Sequence, residues 1–280
     1  MRKEIVECSN QSNLIQPFLR WAGGKGRLIK EIEKHIPQTF DNYFELFLGG
    51  ASLFTHLVNA NKIKNKVFLS DINNDLINVY IQIRDDIEGV ITFLSTYKNN
   101  ETFYYKLREK KSISQIENAA RFIFLNRTSF NGIYRENLKG KYNVPYGFKK
   151  YRELFDYNNL REFSRKLKNV TLRAADFEES IDQINTNDFV FLDPPYTVAH
   201  SNNGFIKYNQ KLFSINDQQR LANFINRISK KGTYFILTNA CHKNIKKIFV
   251  DLNYKTVERY SVIGGKNAER KLVEEYIFFK

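Results

Sequence analysis

The sequence predicts an α/β protein built on a doubly wound, mainly parallel sheet, because three short apolar runs each end at polar residues. The runs cover residues 67–69, 189–192 and 234–237, and the polar residues that follow them include Asp71, Asp193 and Asn239. Continuous apolar runs of this length are typical of strands that are buried on both faces. Ligands of open parallel sheets bind outside the carboxyl ends of the strands, so these three side chains are predicted to face one crevice.

A second observation is the change of pattern between residues 76 and 167, which predicts a lobe inserted into the sheet domain. Helical periodicity runs through residues 86–97 and again through residues 117–125. Residues 131–145 then alternate side-chain types around a glycine-containing turn, which indicates a β-hairpin. Basic and aromatic groups interleave in this hairpin, a mixture that suits phosphate contact with base stacking. An ordinary surface hairpin in a basic protein is the alternative.

The sheet domain is expected to comprise residues 1–75 and 168–280, on either side of the inserted segment. No internal repeat or low-complexity linker divides the chain further. Residues 272–279 are predicted to form the antiparallel edge strand, paired after a turn at Gly264 and Gly265.

Composition limits the class of protein. The 280 residues are 42% hydrophobic, which is enough for one large core with a smaller lobe. The net charge of +14 favours a polyanionic partner such as nucleic acid, although charge alone also serves solubility. Cys8 and Cys241 have no paired spacing, so neither a metal site nor a disulfide framework is expected. The charged start and the absence of long apolar runs predict a soluble, unexported protein of a reducing cytoplasm, with no membrane partner.

The segment Asp193-Pro194-Pro195-Tyr196 directly follows an apolar run and is the strongest candidate for chemistry. Two prolines fix the backbone and remove two N–H donors, which leaves carbonyl groups as acceptors. A carboxylate and a carbonyl can each accept one N–H of a planar amine such as adenine N6, and Tyr196 offers a face for a base turned out of a duplex. A rigid turn at the end of a strand is the alternative.

Residues 44–54 read as a strand, a glycine turn and the start of a helix, in which glycine permits close approach of a ligand. About twenty residues further on, Asp71 can accept both hydroxyls of a ribose. The pair favours a nucleoside cofactor, and NAD and S-adenosylmethionine are both compatible with it. Capping of the helix that begins near Asn73 is the alternative for Asp71.

Two further segments are weaker candidates. The segment from Trp21 to Lys25 joins a glycine loop to a lysine, whose cation could pair with a carboxylate or phosphate. A loop with a solvated lysine is the alternative. Asp176 and Phe177 offer an acceptor and a ring for an adenine, with a capping Asp beside a core Phe as the alternative.

In this order, the motifs resemble those of the Dam-type, or alpha-group, DNA adenine N6-methyltransferases over nearly the whole chain. The resemblance implies a Rossmann-like, S-adenosylmethionine-dependent methyltransferase sheet with an inserted, mainly helical target-recognition domain that carries a β-hairpin. It implies a catalytic role for Asp193, Pro194, Pro195 and Tyr196. It also implies cofactor binding by Trp21, Lys25, Glu45, Phe47, Gly49, Gly50, Asp71, Asp176, Phe177 and Asp193, with no metal.

Double-stranded DNA is the partner that the resemblance implies, and GATC is the expected target. The corresponding DNA-binding residues are Arg20, Arg127, Asn131, Ile133, Arg135, Asn137, Lys139, Lys141 and Pro145. An arginine can bond O6 and N7 of guanine together, and apolar groups suit the thymine methyl. Many members of that family have Pro at the position of Leu46 and Gly at the position of Ala51. These departures weaken the expectation of cofactor binding without excluding it, because alanine is small enough to leave room.

The rival functions are methylation of another planar amine, in RNA or in a protein glutamine, and DNA binding without catalysis. The inserted lobe of residues 76–167 argues against the first, and retention of Asp193 and Lys25 argues against the second. A nicotinamide oxidoreductase would leave the catalytic tetrapeptide without a role. Pairing with a restriction endonuclease is left open by the sequence.

Overall fold

The computed structural model describes residues 14–21, 23–110, 114–137, 140–196, 213–260 and 272–280. Its centre is a seven-stranded sheet with the strand order β3-β2-β1-β4-β5-β7-β6. The strands are β1 (Tyr43–Glu45), β2 (Val67–Asp71), β3 (Val170–Ala174), β4 (Phe189–Leu192), β5 (Tyr234–Ala240), β6 (Asn253–Tyr260) and β7 (Leu272–Phe279). Strands β1 to β5 are parallel, and β7 runs antiparallel to β5 and β6. The predicted α/β sheet and its three apolar strands are confirmed.

The antiparallel direction of β7 is also confirmed, but its place at the edge is wrong. β7 lies between β5 and β6, so β6 is the edge strand. The physical reason is composition: residues 275–278 of β7 are buried, whereas β6 carries many polar groups and is largely exposed. An edge strand needs such polar groups because its free backbone faces solvent. The turn expected at Gly264 and Gly265 lies outside the described residues.

Helices cover both faces of the sheet and build the segment between β2 and β3. They are α1 (Ile29–Glu33), α2 (Ser52–Asn59), α3 (Asn74–Asp85), α4 (Ile87–Thr96), α5 (Glu101–Glu109), α6 (Gln115–Thr128), α7 (Tyr157–Leu167), α8 (Ile215–Lys230) and α9 (Lys243–Ile248). The two predicted helices correspond to α4 and α6. Local chemistry sets where they begin, since Asp86 and Ser114 accept hydrogen bonds from the backbone of the first turns. No helix in the described ranges has the length and apolar character needed to cross a bilayer.

Alternation along the strands divides the core between the two faces of the sheet. In β4, Phe189 and Phe191 belong to one apolar cluster, while Val190 and Leu192 belong to the other. The first cluster continues without a break into the segment between β2 and β3, where it includes Tyr80 of α3. This periodicity of two also decides which side chains meet beyond the carboxyl ends of the strands.

The predicted hairpin is present as a chain reversal with isolated bridges and no regular strands. Ser129 pairs with Tyr146, and Glu136 pairs with Tyr142, both antiparallel. The backbone N–H of Asn143 donates to the carbonyl of Arg135 at 3.0 Å. The arms of this reversal therefore lie side by side.

Candidate active site

Asp193 lies directly after β4 and is held by two donors. Its Oδ1 accepts a hydrogen bond from Thr238 Oγ1 at 2.6 Å and pairs with Lys25 Nζ at 2.6 Å. Burial raises the pKa of the Asp193 carboxyl, Lys25 and Thr238 oppose that rise, and the nearby charge of Glu275 adds to it. The carboxylate is thus fixed in orientation at the carboxyl edge of the sheet.

Thr238 takes the place in the crevice that was predicted for Asn239. Asn239 is fully buried on the opposite face, where its Nδ2 donates to Gln218 Oε1 of α8 at 2.8 Å. Successive side chains of a strand point to opposite faces, so only one of these two neighbours can reach Asp193.

Lys25 is a buried cation, and the alternative of a solvated lysine is wrong. Its side chain is only 4% exposed. Besides pairing with Asp193, Nζ donates to the carbonyl of Gly23 at 2.6 Å and lies 4.9 Å from the centre of the Tyr196 ring. Lys25 is the first residue of a short 3₁₀ helix, Lys25–Arg27. Lys25 therefore joins the N-terminal loop to the segment Asp193-Pro194-Pro195-Tyr196.

Tyr196 is anchored at its hydroxyl, which donates to Glu275 Oε2 at 2.6 Å. Glu275 lies on β7 and is 1% exposed. Sequence reasoning missed this residue, although a glutamate next to a run as apolar as residues 276–279 is an available signal, because a buried carboxylate needs a partner.

The glycine turn after β1 is shaped by Trp21. Gly49 has a positive φ of 47°, and a Cβ at that position would lie 2.6 Å from Trp21 Cδ1. The Trp21 ring in turn stacks on Tyr134 of the chain reversal between Ser129 and Tyr146, with ring centres 5.5 Å apart. Ala51 has the left-handed φ of 55° and is fully buried. Alanine thus adopts a backbone that favours glycine, which carries local strain.

Glu45, the last residue of β1, is buried behind this turn. Its Oε2 accepts hydrogen bonds from Tyr43 Oη at 2.7 Å and from the backbone N–H of Phe54 at 3.0 Å. Burial raises the pKa of the Glu45 carboxyl to about 8, although both hydrogen bonds act in the opposite direction. This carboxyl ties β1 to the first turns of α2.

Asp71, the last residue of β2, accepts backbone N–H bonds from Gly49 and Asn73, each at 3.0 Å. The side chain that caps α3 is Asn73, which accepts from Leu76 N, so the capping alternative for Asp71 is wrong. Burial raises the pKa of the Asp71 carboxyl, and the two hydrogen bonds lower it. The next residue, Ile72, is 69% exposed and provides an apolar surface beside this acid that sequence reasoning overlooked.

Asp176 and Phe177 also have the structural contacts of their alternative interpretation. Asp176 caps the 3₁₀ helix Phe177–Ser180, and Phe177 is buried with its ring centre 5.6 Å from that of Phe47. Arg220 of α8 donates to Asp176 Oδ1 at 2.8 Å and lies over the Phe177 ring. These contacts hold a carboxylate beyond β3, the next strand along from Asp71.

The C-terminal part of α6 is hydrogen-bonded to the N-terminal loop. Asn126 accepts from Arg20 N at 2.8 Å and donates to Arg20 O at 2.7 Å, although its side chain is 1% exposed. Gly132, with a positive φ of 64°, leaves room for the Arg20 side chain. Arg20 and Arg127 both lie over the ring of Tyr151. Cations from two distant segments are thereby placed together.

The other predicted DNA-binding residues lie along the same chain reversal. Arg135 is exposed, and its Nε donates to Asn143 Oδ1 at 2.9 Å. Ile133 is half-buried; Asn131, Asn137, Lys141 and Pro145 are exposed. Lys139 lies outside the described residues. Among the residues that the structure describes, no cluster of His, Cys, Asp and Glu is suited to hold a metal ion.

Comparison with known proteins defines the class. The D12 class N6 adenine-specific DNA methyltransferase family matches residues 21–263. The chain is 35% identical over 277 residues to the type II methyltransferase M.MjaIII of Methanocaldococcus jannaschii, covering 92% of this chain and 96% of that protein. It is 30% identical to the DNA adenine methylase of Haemophilus influenzae, covering 94% of this chain and 92% of the relative. A solved rRNA methyltransferase, aviRa from Streptomyces viridochromogenes, aligns with 98% of this chain and 93% of its own, with a TM-score of 0.41 and 13% identity.

The chain therefore belongs to the D12 class of N6 adenine-specific DNA methyltransferases. The family resemblance inferred from the motifs is confirmed, and so is the prediction of an adenine-specific enzyme that acts on DNA.

Proposed function

We propose that the protein transfers the methyl group of S-adenosylmethionine to adenine N6 within GATC in double-stranded DNA, after turning the target base out of the helix. The observation that carries this proposal is the geometry of Asp193, a carboxylate fixed by Lys25 and Thr238 directly after β4. It is joined there by the Pro194 and Pro195 backbone and by the Tyr196 ring.

The arrangement of acids along the sheet edge fits this cofactor. Asp176 follows β3, Asp71 ends β2, the glycine turn follows β1, and Asp193 follows β4, in the spatial order of the strands. Neighbouring strands are about 4.8 Å apart, so the edge from β3 to β4 spans about 14 Å, the scale of a nucleoside joined to an amino acid. Asp176 and Phe177, with Phe47 beside them, would hold the adenine. Asp71 would accept the ribose hydroxyls.

The other end of the cofactor would lie near the N-terminal loop. We assign the methionine part to Trp21, Lys25, Gly49 and Gly50, with Glu45 holding the turn from behind. Lys25 is the cation suited to a carboxylate, since it is already desolvated at 4% exposure. When bound, the cofactor supplies an electrophilic methyl group next to Asp193.

The target amine needs acceptors, because its lone pair is delocalised into the adenine ring. Asp193 and the carbonyl of Pro194 can each accept one N–H, which favours a pyramidal nitrogen and stabilises the positive charge that develops on it. The N6 atom is out of reach inside a duplex, so the base must leave the stack, and Tyr196 would supply the surface that receives it.

Target reading is assigned to residues 76–167 as the target-recognition domain, together with Arg20. Arg135 is exposed and would bond O6 and N7 of guanine, and Ile133 and Pro145 would contact thymine methyls. Asn131, Asn137, Arg127, Lys139 and Lys141 would contact the backbone or base edges. Pairing with a restriction endonuclease stays open.

The decisive experiment incubates the protein with labelled S-adenosylmethionine and duplexes that differ only in one GATC site. We expect N6-methyladenine in the GATC duplex and none in a GTAC duplex of equal composition. Arg135→Ala is expected to relax the guanine requirement, with a loss of discrimination of about 1 to 3 kcal/mol. Methylation centred on another sequence would reject the target, and label on RNA or glutamine alone would reject the substrate.

The catalytic role is tested by Asp193→Asn, which retains the side-chain shape. Asp193→Ala is less suitable, because it removes the Oδ1 acceptor of both Lys25 Nζ and Thr238 Oγ1, whereas asparagine loses the charge and keeps that acceptor. Turnover of Asp193→Asn within about tenfold of wild type, a barrier difference of ~1.4 kcal/mol, would contradict the role.

A further inference from the structure

Glu275 is placed at the active site by the antiparallel direction of β7. It stands opposite Ala240, the last residue of β5, so the first half of β7 lies at the same edge of the sheet as Asp193. The alternation of side chains puts Glu275 on the face of Ile277, which belongs to the same apolar cluster as Phe191. Asp193, two residues after Phe191, follows the same alternation. A glutamate on this strand is thereby aimed at the catalytic tetrapeptide.

We propose that Glu275 is a positioning residue that fixes the Tyr196 ring in the orientation that receives the target adenine. The inference rests on the proposed role of Tyr196 as the stacking surface. Its basis is the 2.6 Å bond from Tyr196 Oη to Glu275 Oε2, made by a carboxylate that is 1% exposed.

Two contacts restrict the ring in different directions. The hydroxyl bond to Glu275 fixes the far end of the side chain, and Lys25 Nζ lies 4.9 Å from the ring centre. The same lysine also pairs with Asp193. Glu275 therefore sets the position of the ring relative to the carboxylate that accepts the amine.

Stability of the core does not by itself explain the hydrogen bond between Tyr196 and Glu275. A buried carboxylate is expensive to desolvate, and an apolar pair of similar shape would be as stable or more stable. Glu275 also adds to the causes that raise the pKa of the Asp193 carboxyl, so its charge acts against the ionisation that the catalytic residue needs. Both facts favour a role in orienting Tyr196 over a role in stability.

The structural and positioning roles are separated by replacing both partners. Tyr196→Phe retains the ring without its donor, and Glu275→Leu removes the acceptor and the charge. The double variant leaves no polar group of this pair unsatisfied, so its melting temperature is expected to recover. If Glu275 only stabilises the fold, methylation recovers with it. If Glu275 orients the ring, methylation does not recover.

The experiment measures single-turnover methylation of a duplex that the wild-type protein modifies, at saturating S-adenosylmethionine, together with cofactor affinity and melting temperature. We expect Glu275→Leu, Tyr196→Phe and the double variant to lose a similar factor in rate, about tenfold to a hundredfold, because one charge-assisted bond is lost in each. Glu275→Gln keeps an acceptor and should remain within about threefold of wild type, a barrier difference below ~1 kcal/mol. Cofactor affinity should be unchanged throughout.

Glu274→Gln is the matched control, since Glu274 is the preceding residue of β7, is exposed and points to the other face. It should retain the wild-type rate. Recovery of methylation in the double variant, or a Glu275→Leu rate within twofold of wild type, would overturn the inference. Failure of the wild-type protein to methylate adenine would instead reject the proposed function.

Discussion

Replacing Glu45 with glutamine tests whether a buried acid makes the stability of this protein depend on pH. The pKa of the Glu45 carboxyl is raised from an ordinary 4.5 to about 8 in the folded protein, chiefly by burial. Between these values the folded chain keeps a proton that the unfolded chain has released. The free energy of unfolding therefore falls as pH rises through this window.

The size of the effect follows from the difference of the two values, 8 − 4.5 = 3.5. At 1.36 kcal/mol per pKa unit, Glu45 makes the protein on the order of 5 kcal/mol less stable above pH 8 than below pH 4.5. Glutamine resembles the protonated carboxyl, so Glu45→Gln retains both accepted hydrogen bonds and removes the titration. The advantage of the variant should grow by about 1.4 kcal/mol per pH unit through the window and then level off.

The assay is urea unfolding of both proteins at pH 5.5, 6.5, 7.5 and 8.5, about one unit apart so that each step resolves one increment. Fluorescence of the single Trp21 and circular dichroism should give coincident transitions, which is the test of two-state unfolding. Comparing variant with wild type cancels the titration of groups that do not interact with Glu45, and the charges of Asp193 and Asp71 are lesser causes of its raised pKa. Glu153→Gln, at an exposed site, is the matched control and should parallel wild type. Parallel curves for Glu45→Gln and wild type would refute the reasoning.

Three further predictions concern cofactor binding, the stability of the glycine turn and DNA binding. Asp71→Asn should weaken S-adenosylmethionine binding about tenfold to a hundredfold, because the ribose hydroxyls lose a charged acceptor worth ~1.5 to 3 kcal/mol. Calorimetry that shows an unaltered affinity would contradict the assignment of Asp71 to the ribose. Gly49→Ala places a Cβ 2.6 Å from Trp21 Cδ1 and should destabilise by about 1 to 3 kcal/mol in urea, whereas Gly26→Ala, with nothing within 4 Å of its Cβ, should not. DNA affinity should fall steeply with salt, given the net charge of +14, and a flat log–log slope in a binding titration would remove the proposed phosphate contacts.

Much of the fold is readable from local patterns. The apolar runs at 67–69, 189–192 and 234–237 are long enough, and apolar enough, to identify strands buried on both faces. The caps at Asp86 and Ser114 mark helix starts within a few residues. The edge position of β7 was wrong because strand order is decided by pairing between segments, and no periodicity within one segment specifies its neighbours.

The candidate site was predictable in its motifs and not in its contacts. Asp193 and Asp71 were correctly placed at the ends of strands. Lys25 was assigned to a loop with a cofactor contact, and only the structure pairs it with Asp193 at 2.6 Å. Burial of a lysine depends on what packs around it, which a glycine-rich loop sequence does not reveal.

By itself, the sequence determined the α/β class, the glycine turn, the position of Asp193-Pro194-Pro195-Tyr196 after a strand and the family, since each depends on residue types at short spacing. Tertiary structure alone decided that Thr238 and not Asn239 holds Asp193, that Asn126 clamps Arg20, and that Glu275 anchors Tyr196. Thr238 and Glu275 reach their distant partners because the sheet fixes strand order and the face of each side chain, whereas Asn126 reaches Arg20 because α6 lies against the N-terminal loop. Close packing is the physical reason that such contacts are specific, because a buried polar group is stabilised where a hydrogen-bond partner lies within reach.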